Sequence, residues 1–260
     1  MITSTANEKI KHVTMLVRNA KARRKEGLFV VEGERISREI PKDMLEECFV
    51  TKEYLSQNNP DDICPEVSPT LVSSEVFKKM SDTMSPQGIL CVCRTRQMTL
   101  GDLLDERADK DLKLLVLEGI QDPGNLGTMV RTAEGAGFDG IIADNNTVDV
   151  YNPKVSRSTM GSLFRMPVIY TDDLPGAVDR LKSSAVTVYA AHLKGKRSYR
   201  SQEYGNRIAF LVGNEGSGLS EEISRKADIL VRIPMSGRLE SLNAAVAAAI
   251  LMYNVQTQDH

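Results

Sequence analysis

The feature that most constrains this chain is a series of apolar runs in its second half. They are LKLLVLEGI (112–120), GIIAD (140–144), TVYAAHL (187–193), IAFLVGNE (208–215) and DILVRIPM (228–235), and helical stretches alternate with them. A strand with one solvated face alternates apolar and polar residues, whereas a run apolar at successive positions is buried on both faces. Interleaved with helices, such runs predict a parallel sheet covered on each side. The second half is therefore expected to be a doubly wound α/β domain, in which ligands bind beyond the carboxyl ends of the strands.

The first half reads differently. Ile10, Val13, Met15, Leu16 and Val17 recur near helical spacing, which predicts one basic helix from Asn7 to about Arg24, closed at Gly27. β-rich runs follow at LFVVEGE (28–34), CFVTKEYL (48–55) and GILCVCRT (88–95), with a helix expected over SEVFKKMSD before the last. This is a small α/β domain. The charged stretch RQMTLGDLLDERADKD (96–111) has no strand signal and suits a short helical or extended connection. A chain of 260 residues exceeds what one core usually organises, so the expected division is 1–98, a linker at 99–111, and 112–260.

Composition excludes several classes. With 41% apolar and 26% charged residues the chain can bury a substantial core, and it is neither collagen-like nor biased toward disorder. No apolar run is long enough to cross a bilayer, and the N-terminus lacks the apolar centre of a signal peptide, so no membrane association and a cytoplasmic location are expected. Cys48, Cys64, Cys91 and Cys93 have neither metal-ligand spacing nor nearby histidines, which points to reduced thiols and no metal site. A net charge of −2 argues against a uniformly positive coat. Locally, Lys9, Lys11, Arg18, Lys21, Arg23, Arg24 and Lys25 face the single acid Glu8, a concentration able to meet several phosphates or, alternatively, to form a solvated helix face.

Three segments carry the polar chemistry, each directly after an apolar strand. In DPGNLGTMVRTAEGAGF (122–138) a Pro-Gly turn leads into a helix that is expected to open near Asn125, a good N-cap, with Arg131 two turns inside. Asn125 could only cap, and Arg131 could only pair with an acid. In FLVGNEGSGLS (210–220) the glycines allow close backbone approach to a ligand, Asn214 and Glu215 offer polar contacts, and Ser220 caps the next helix. In IPMSGRLESLNAAVAAAI (233–250), Ser241 and Asn243 open an alanine-rich helix suited to close packing. GAGFDG (135–140) fits a dinucleotide fingerprint by spacing, but it ends a helix and precedes a strand, the reverse of what pyrophosphate binding requires. An NAD enzyme is thus poorly supported, no phosphate-binding G-x-x-x-x-G-K-[ST] loop is present, and three scattered histidines give no basis for a triad.

In order and separation, these three segments resemble the signature motifs of the SpoU (TrmH-like) RNA 2′-O-ribose methyltransferases of the SPOUT superfamily. The resemblance covers roughly 110–256. The basic N-terminal segment followed by FVVEGER is similar, more weakly, to the ribosomal-protein-L30-like substrate-binding domain of many members. It implies a parallel-sheet domain tied in a deep trefoil knot, which no pattern above shows, and a homodimer. It further implies S-adenosyl-L-methionine as cofactor and RNA as partner, ribosomal RNA ahead of transfer RNA. By position, Gly213, Ile233, Leu242 and, less directly, Ala191 resemble the cofactor-pocket residues. Asn125, Arg131, Glu215, Ser241 and Asn243 resemble the catalytic set. The RNA contacts expected in the first domain are Arg18, Lys21, Arg23, Arg24 and Lys25.

The chemistry so implied asks little covalent work of the protein, because a sulfonium is already an activated electrophile. What remains is to align a ribose hydroxyl and remove its proton. The family's motif-one arginine is often proposed as the base. An arginine normally stays protonated, so holding the adjacent phosphate is the safer role for Arg131, and the base stays open. The competing readings are a non-catalytic RNA-binding protein of the same fold and an NAD-dependent enzyme.

Overall fold

A computed structural model describes residues 1–59, 67–193, 195–214, 216–238 and 241–256. The chain forms two compact units, Met1–Arg96 with Asp149–Phe164, and Gln97–Val148 with Arg165–His260.

The first unit opens with α1 (Glu8–Arg18) and α2 (Ala20–Glu26) in place of the single helix expected. Asn19 divides them. Its backbone is extended at φ −125°, its N–H ends α1 on the Met15 carbonyl, and its side-chain oxygen accepts from Ala22 N at 3.1 Å. Asparagine competes with the helix for backbone hydrogen bonds and so favours such a boundary. Gly27 closes α2 in the left-handed region at φ 65°.

There follow β1 (Leu28–Glu32), α3 (Glu34–Ser37), β2 (Leu45–Val50), α4 (Lys52–Leu55), β3 (Thr70–Leu71), α5 (Ser74–Met80) and β4 (Ile89–Arg94). The run CFVTKEYL is a strand only to Val50, because the Thr51 hydroxyl accepts from Tyr54 N and starts α4. The sheet order is β1-β4-β2-β3, antiparallel except for the β2–β3 pair. One face packs Val30, Phe49 and Leu90 against Ile10, Val13 and Leu16 of α1 and Phe77 of α5. The other packs Phe29, Val31, Cys91 and Cys93 against Ile36, Leu163 and Phe164. Cys48, Cys91 and Cys93 are buried free thiols, and Cys64 lies outside the described residues.

The second unit begins with α6 (Leu100–Glu106), started by a reciprocal Thr99/Asp102 capping box. Of the two forms expected for the connection the helical one is found, but it belongs to this unit, since Leu100, Leu103 and Leu104 are buried in its core. Next come β5 (Leu112–Glu118), α7 (Pro123–Gly135) and β6 (Gly140–Asp144). Residues 149–164, with α8 (Pro153–Thr159), belong to the first unit. Tyr151 anchors them there, its ring 4.4 Å from that of Phe29 and its hydroxyl accepting from Arg96 N. Burial pushes that hydroxyl's pKa up to about 12.

The chain then completes the second unit with β7 (Val168–Thr171), α9 (Leu174–Ser183), β8 (Thr187–Ala191), β9 (Arg197–Ser198), β10 (Arg207–Gly213), α10 (Glu221–Lys226), β11 (Ile229–Arg232) and α11 (Ala244–Gln256). The sheet order is β7-β6-β5-β10-β8-β11-β9, and every pairing is parallel. Leu114, Val116, Val188 and Leu211 of the strands pack with Leu103 of α6 and Val178 and Leu181 of α9. This is the covered parallel sheet that the apolar runs require.

Candidate functional site

A pocket of about 400 Å³ lies in the second unit where β8, β10 and β11 end. Its wall includes Ala191 from the last position of β8, Gly213 from the last of β10, Ile233 just beyond β11, and Ser241 and Leu242 just before α11. The structure therefore brings together all four residues expected to hold a cofactor, with one of the expected catalytic residues.

Local chemistry explains the shape. At Gly213 an added Cβ would fall 2.3 Å from the Gly218 carbonyl carbon and the Leu219 nitrogen, so only glycine lets the loop fold back this closely. Asn214 holds that return. Its Nδ2 donates to Gly119 O at 2.8 Å, and its Oδ1 accepts from Gly216 N at 2.8 Å. The remaining wall is mostly small and apolar, with Val212, Gly218, Leu219, Val231 and Ala244, while His192 and Arg232 supply its basic side chains among the described residues.

The structure corrects the role of Asn125. Asp122, not Asn125, is the N-cap of α7, and its Oδ1 accepts from Asn125 N at 2.8 Å. The signal was present in the sequence, since proline favours the first helical position and Pro123 therefore marks Asp122 as the cap. Freed from capping, the Asn125 side chain accepts from Asn243 Nδ2 at 3.0 Å. Asn243 in turn accepts from Ala245 N and Val246 N with Oδ1, so it starts α11 and joins it to the first turn of α7. Arg131 is exposed on α7 and is not part of the pocket wall. Glu215 lies outside the described residues.

Arg23 is corrected as well. Arg18, Lys21, Arg24 and Lys25 are exposed, but Arg23 is 3% exposed and paired with Asp149 at 2.7 Å. Its Nη1 also donates to the carbonyl oxygens of Leu16 and Val17. A guanidinium spent in this way has no fork left for a phosphate.

Three site-building residues were not singled out from the sequence: Asp122, Glu118 and Asp144. Glu118 Oε2 accepts from Ser220 N at 2.8 Å. Asp144 Oδ1 accepts from Gly119 N at 2.9 Å and from Thr147 N and Oγ1, fixing the turn after β5. Both are acids at strand ends with partners remote in sequence, so no local pattern marks them. Among the described residues no group of three or more His, Cys, Asp or Glu could hold a metal, and no helix is long and apolar enough to cross a membrane.

Fold and site together define an α/β protein that receives a nucleoside-sized ligand at the carboxyl edge of a parallel sheet. Comparison with known proteins makes the class specific. Residues 113–253 match the SpoU rRNA Methylase family and residues 7–91 the MRM3-like substrate binding domain, and the chain belongs to the SpoU rRNA methylase family. It is 35% identical over 258 residues, 98% of each chain, to the 23S rRNA (guanosine(2553)-2′-O)-methyltransferase RlmP of Bacillus subtilis. Among solved structures it resembles an AdoMet-bound rRNA methyltransferase from Sinorhizobium meliloti, with TM-score 0.83 and 29% identity over 99% of this chain and 97% of that one. It also resembles a putative RNA methyltransferase of the TrmH family from Porphyromonas gingivalis, with TM-score 0.82 and 28% identity over 98% and 100% of the two chains.

Proposed function

We propose that this protein is an S-adenosylmethionine-dependent methyltransferase acting on a ribose 2′-hydroxyl of ribosomal RNA. The observation that carries the reading is the convergence of Ala191, Gly213, Ile233, Ser241 and Leu242, from separate segments, on one pocket. The pocket suits the cofactor. Small and apolar walls accommodate an adenine ring and a thioether chain, and backbone groups at the strand ends supply polar contacts. When bound, the cofactor provides a methyl group on a positively charged sulfur, an electrophile that needs no further activation.

The chain's own residues do the rest. Gly213, Ile233 and Leu242, with Ala191, hold the cofactor. Asn125 and Asn243, joined at 3.0 Å, fix the start of α11 against α7 and so set the position of Ser241 beside the pocket. Arg131 presents a planar guanidinium to the phosphate next to the target ribose, which holds the 2′-oxygen in line for attack. Glu215 belongs to the same catalytic set. In the first unit the exposed Arg18, Lys21, Arg24 and Lys25 meet the RNA backbone.

The reading extends to assembly and place. Val246 and Tyr253, seven residues apart on α11, are 48% and 46% exposed, and we assign this face to a homodimer contact. The trefoil knot of the family is part of the same proposal, as is action in the cytoplasm. The experiment is methyl transfer from labelled cofactor to 23S rRNA, to large ribosomal subunits and to transfer RNA, followed by mapping of 2′-O-methyl sites. One modified position in 23S rRNA is expected. Methylation of transfer RNA alone, or failure to bind S-adenosylhomocysteine, would overturn the reading.

A further inference from the structure

We infer that Glu118, which is not part of the pocket wall, is a positioning residue that sets cofactor affinity by holding that wall in place. The inference rests on the cofactor reading above and deepens it. The wall concerned runs from Asn214 to Leu219, and Asn214, Gly216, Ser217, Gly218 and Leu219 all line the pocket. Its described residues lie in no helix or strand ladder, and the bridge between Asn214 and Gly218 closes the segment on itself. With Gly216 and Gly218 in its course, such a segment has much conformational freedom to lose and needs external support.

That support comes from the end of β5, at both ends of the wall. Gly213 lies opposite Glu118 in the parallel pairing of β10 with β5. At the near end, Asn214 Nδ2 donates to Gly119 O at 2.8 Å. At the far end, Ser220 N donates to Glu118 Oε2 at 2.8 Å. Ser220 is the N-cap of α10, and the N–H of an N-cap residue has no partner within its own helix. Glu118 therefore takes a donor the helix leaves over and uses it to pin the place where the wall enters α10. Asn214 lines the pocket, so replacing it would confound contact with support. Glu118 separates the two, because its side chain meets the end of the wall through Ser220 N and forms no part of the pocket lining.

The test uses the full chain and four variants, with S-adenosylhomocysteine binding measured by calorimetry. Loss of one such hydrogen bond predicts that Glu118→Ala weakens binding roughly 5- to 20-fold. Glu118→Gln keeps an acceptor oxygen and should recover affinity to within about threefold of wild type. In turnover, Glu118→Ala should raise KM for S-adenosylmethionine and leave kcat at saturating cofactor near wild type, with cofactor-free RNA affinity unchanged.

If Glu118→Ala fails to fold, Ser220→Pro removes the same N–H at a residue whose φ of −61° proline adopts. It should weaken binding likewise, whereas Ser220→Ala, which keeps the N–H and loses only the capping hydroxyl, should not. Wild-type affinity in Glu118→Ala or in Ser220→Pro overturns the inference. So does equal weakening in Glu118→Gln, or a parallel loss of RNA affinity. Wild-type protein that binds no S-adenosylhomocysteine would instead overturn the cofactor reading.

Discussion

Replacing Arg23 with alanine separates a structural cation from an RNA-binding one. The side chain is 3% exposed, and Nε and Nη2 donate to Asp149 Oδ2 at 2.8 and 2.7 Å. Nη1 donates to Leu16 O and Val17 O, two carbonyls that lose their helical partners when α1 ends at Arg18. Alanine leaves those carbonyls orphaned. It also leaves a carboxylate 9% exposed, which still accepts from Tyr151 N at 3.0 Å on Oδ1 but has lost its cation. Breaking a buried pair by removing one member costs about 3–5 kcal/mol. For a domain of this size that lowers the melting temperature by roughly 10–30 °C. Circular dichroism or calorimetry reads the shift in the transition of the first unit. The companion Arg23→Met/Asp149→Leu removes both charges and should recover most of the loss, because the single variant's deficit is largely an unpaired buried charge. An Arg23→Ala protein that melts with wild type, and whose RNA binding loses salt dependence, would refute the reasoning and return Arg23 to the RNA interface.

Replacing Arg18, Lys21, Arg24 and Lys25 together by alanine should leave melting unchanged and reduce the slope of log affinity against log salt by roughly 3, at about 0.7–0.9 per phosphate contact. An unchanged slope in a filter-binding titration removes this face from the interface. Arg131→Ala should abolish methyl transfer while S-adenosylhomocysteine binding persists, since Arg131 is outside the pocket wall; wild-type turnover would sink its role. Alkaline stability should follow Tyr151. Its hydroxyl titrates near 10 when unfolded and about 12 when folded, so between those values the unfolded state releases a proton that the folded state keeps. Stability is then complete below pH 10 and falls as pH rises toward 12, and Tyr151→Phe should flatten that decline in melts taken across the interval.

The sequence carried the strands of the second unit because burial on both faces leaves nothing to alternate. β5, β6, β8 and β11 fall within the apolar runs, and β10 does so from its second residue, Ile208. β7 escaped, being four residues long at the sheet edge and only partly buried, and β9 has two residues. Strand order was not legible at all. That β10 lies between β5 and β8 depends on how the chain crosses, which local pattern does not encode. At the site, Gly213 and Asn214 stood out because a plain turn seldom needs such residues in succession. Glu118 and Asp144 did not, because an acid at a strand end looks the same whether it faces water or holds a backbone N–H from a distant segment.

The basic run of α2 shows where such reading fails. Arg23, Arg24 and Lys25 are consecutive and chemically alike, and charge counting treats them as one patch. A helix turns about 100° per residue, so three consecutive side chains cannot share a face. Which of them turns inward is set by Asp149, 126 residues away and supplied by a segment that lies between β6 and β7 in the chain. That segment also brings Tyr151, Leu163 and Phe164 to the face of the first sheet that carries Phe29, Cys91 and Cys93. The substrate-binding unit is therefore not completed by its own stretch of sequence. Residues 149–164, which follow β6 in the chain, close one face of its core and neutralise its buried cation, so a stretch ending at Arg96 would lack both.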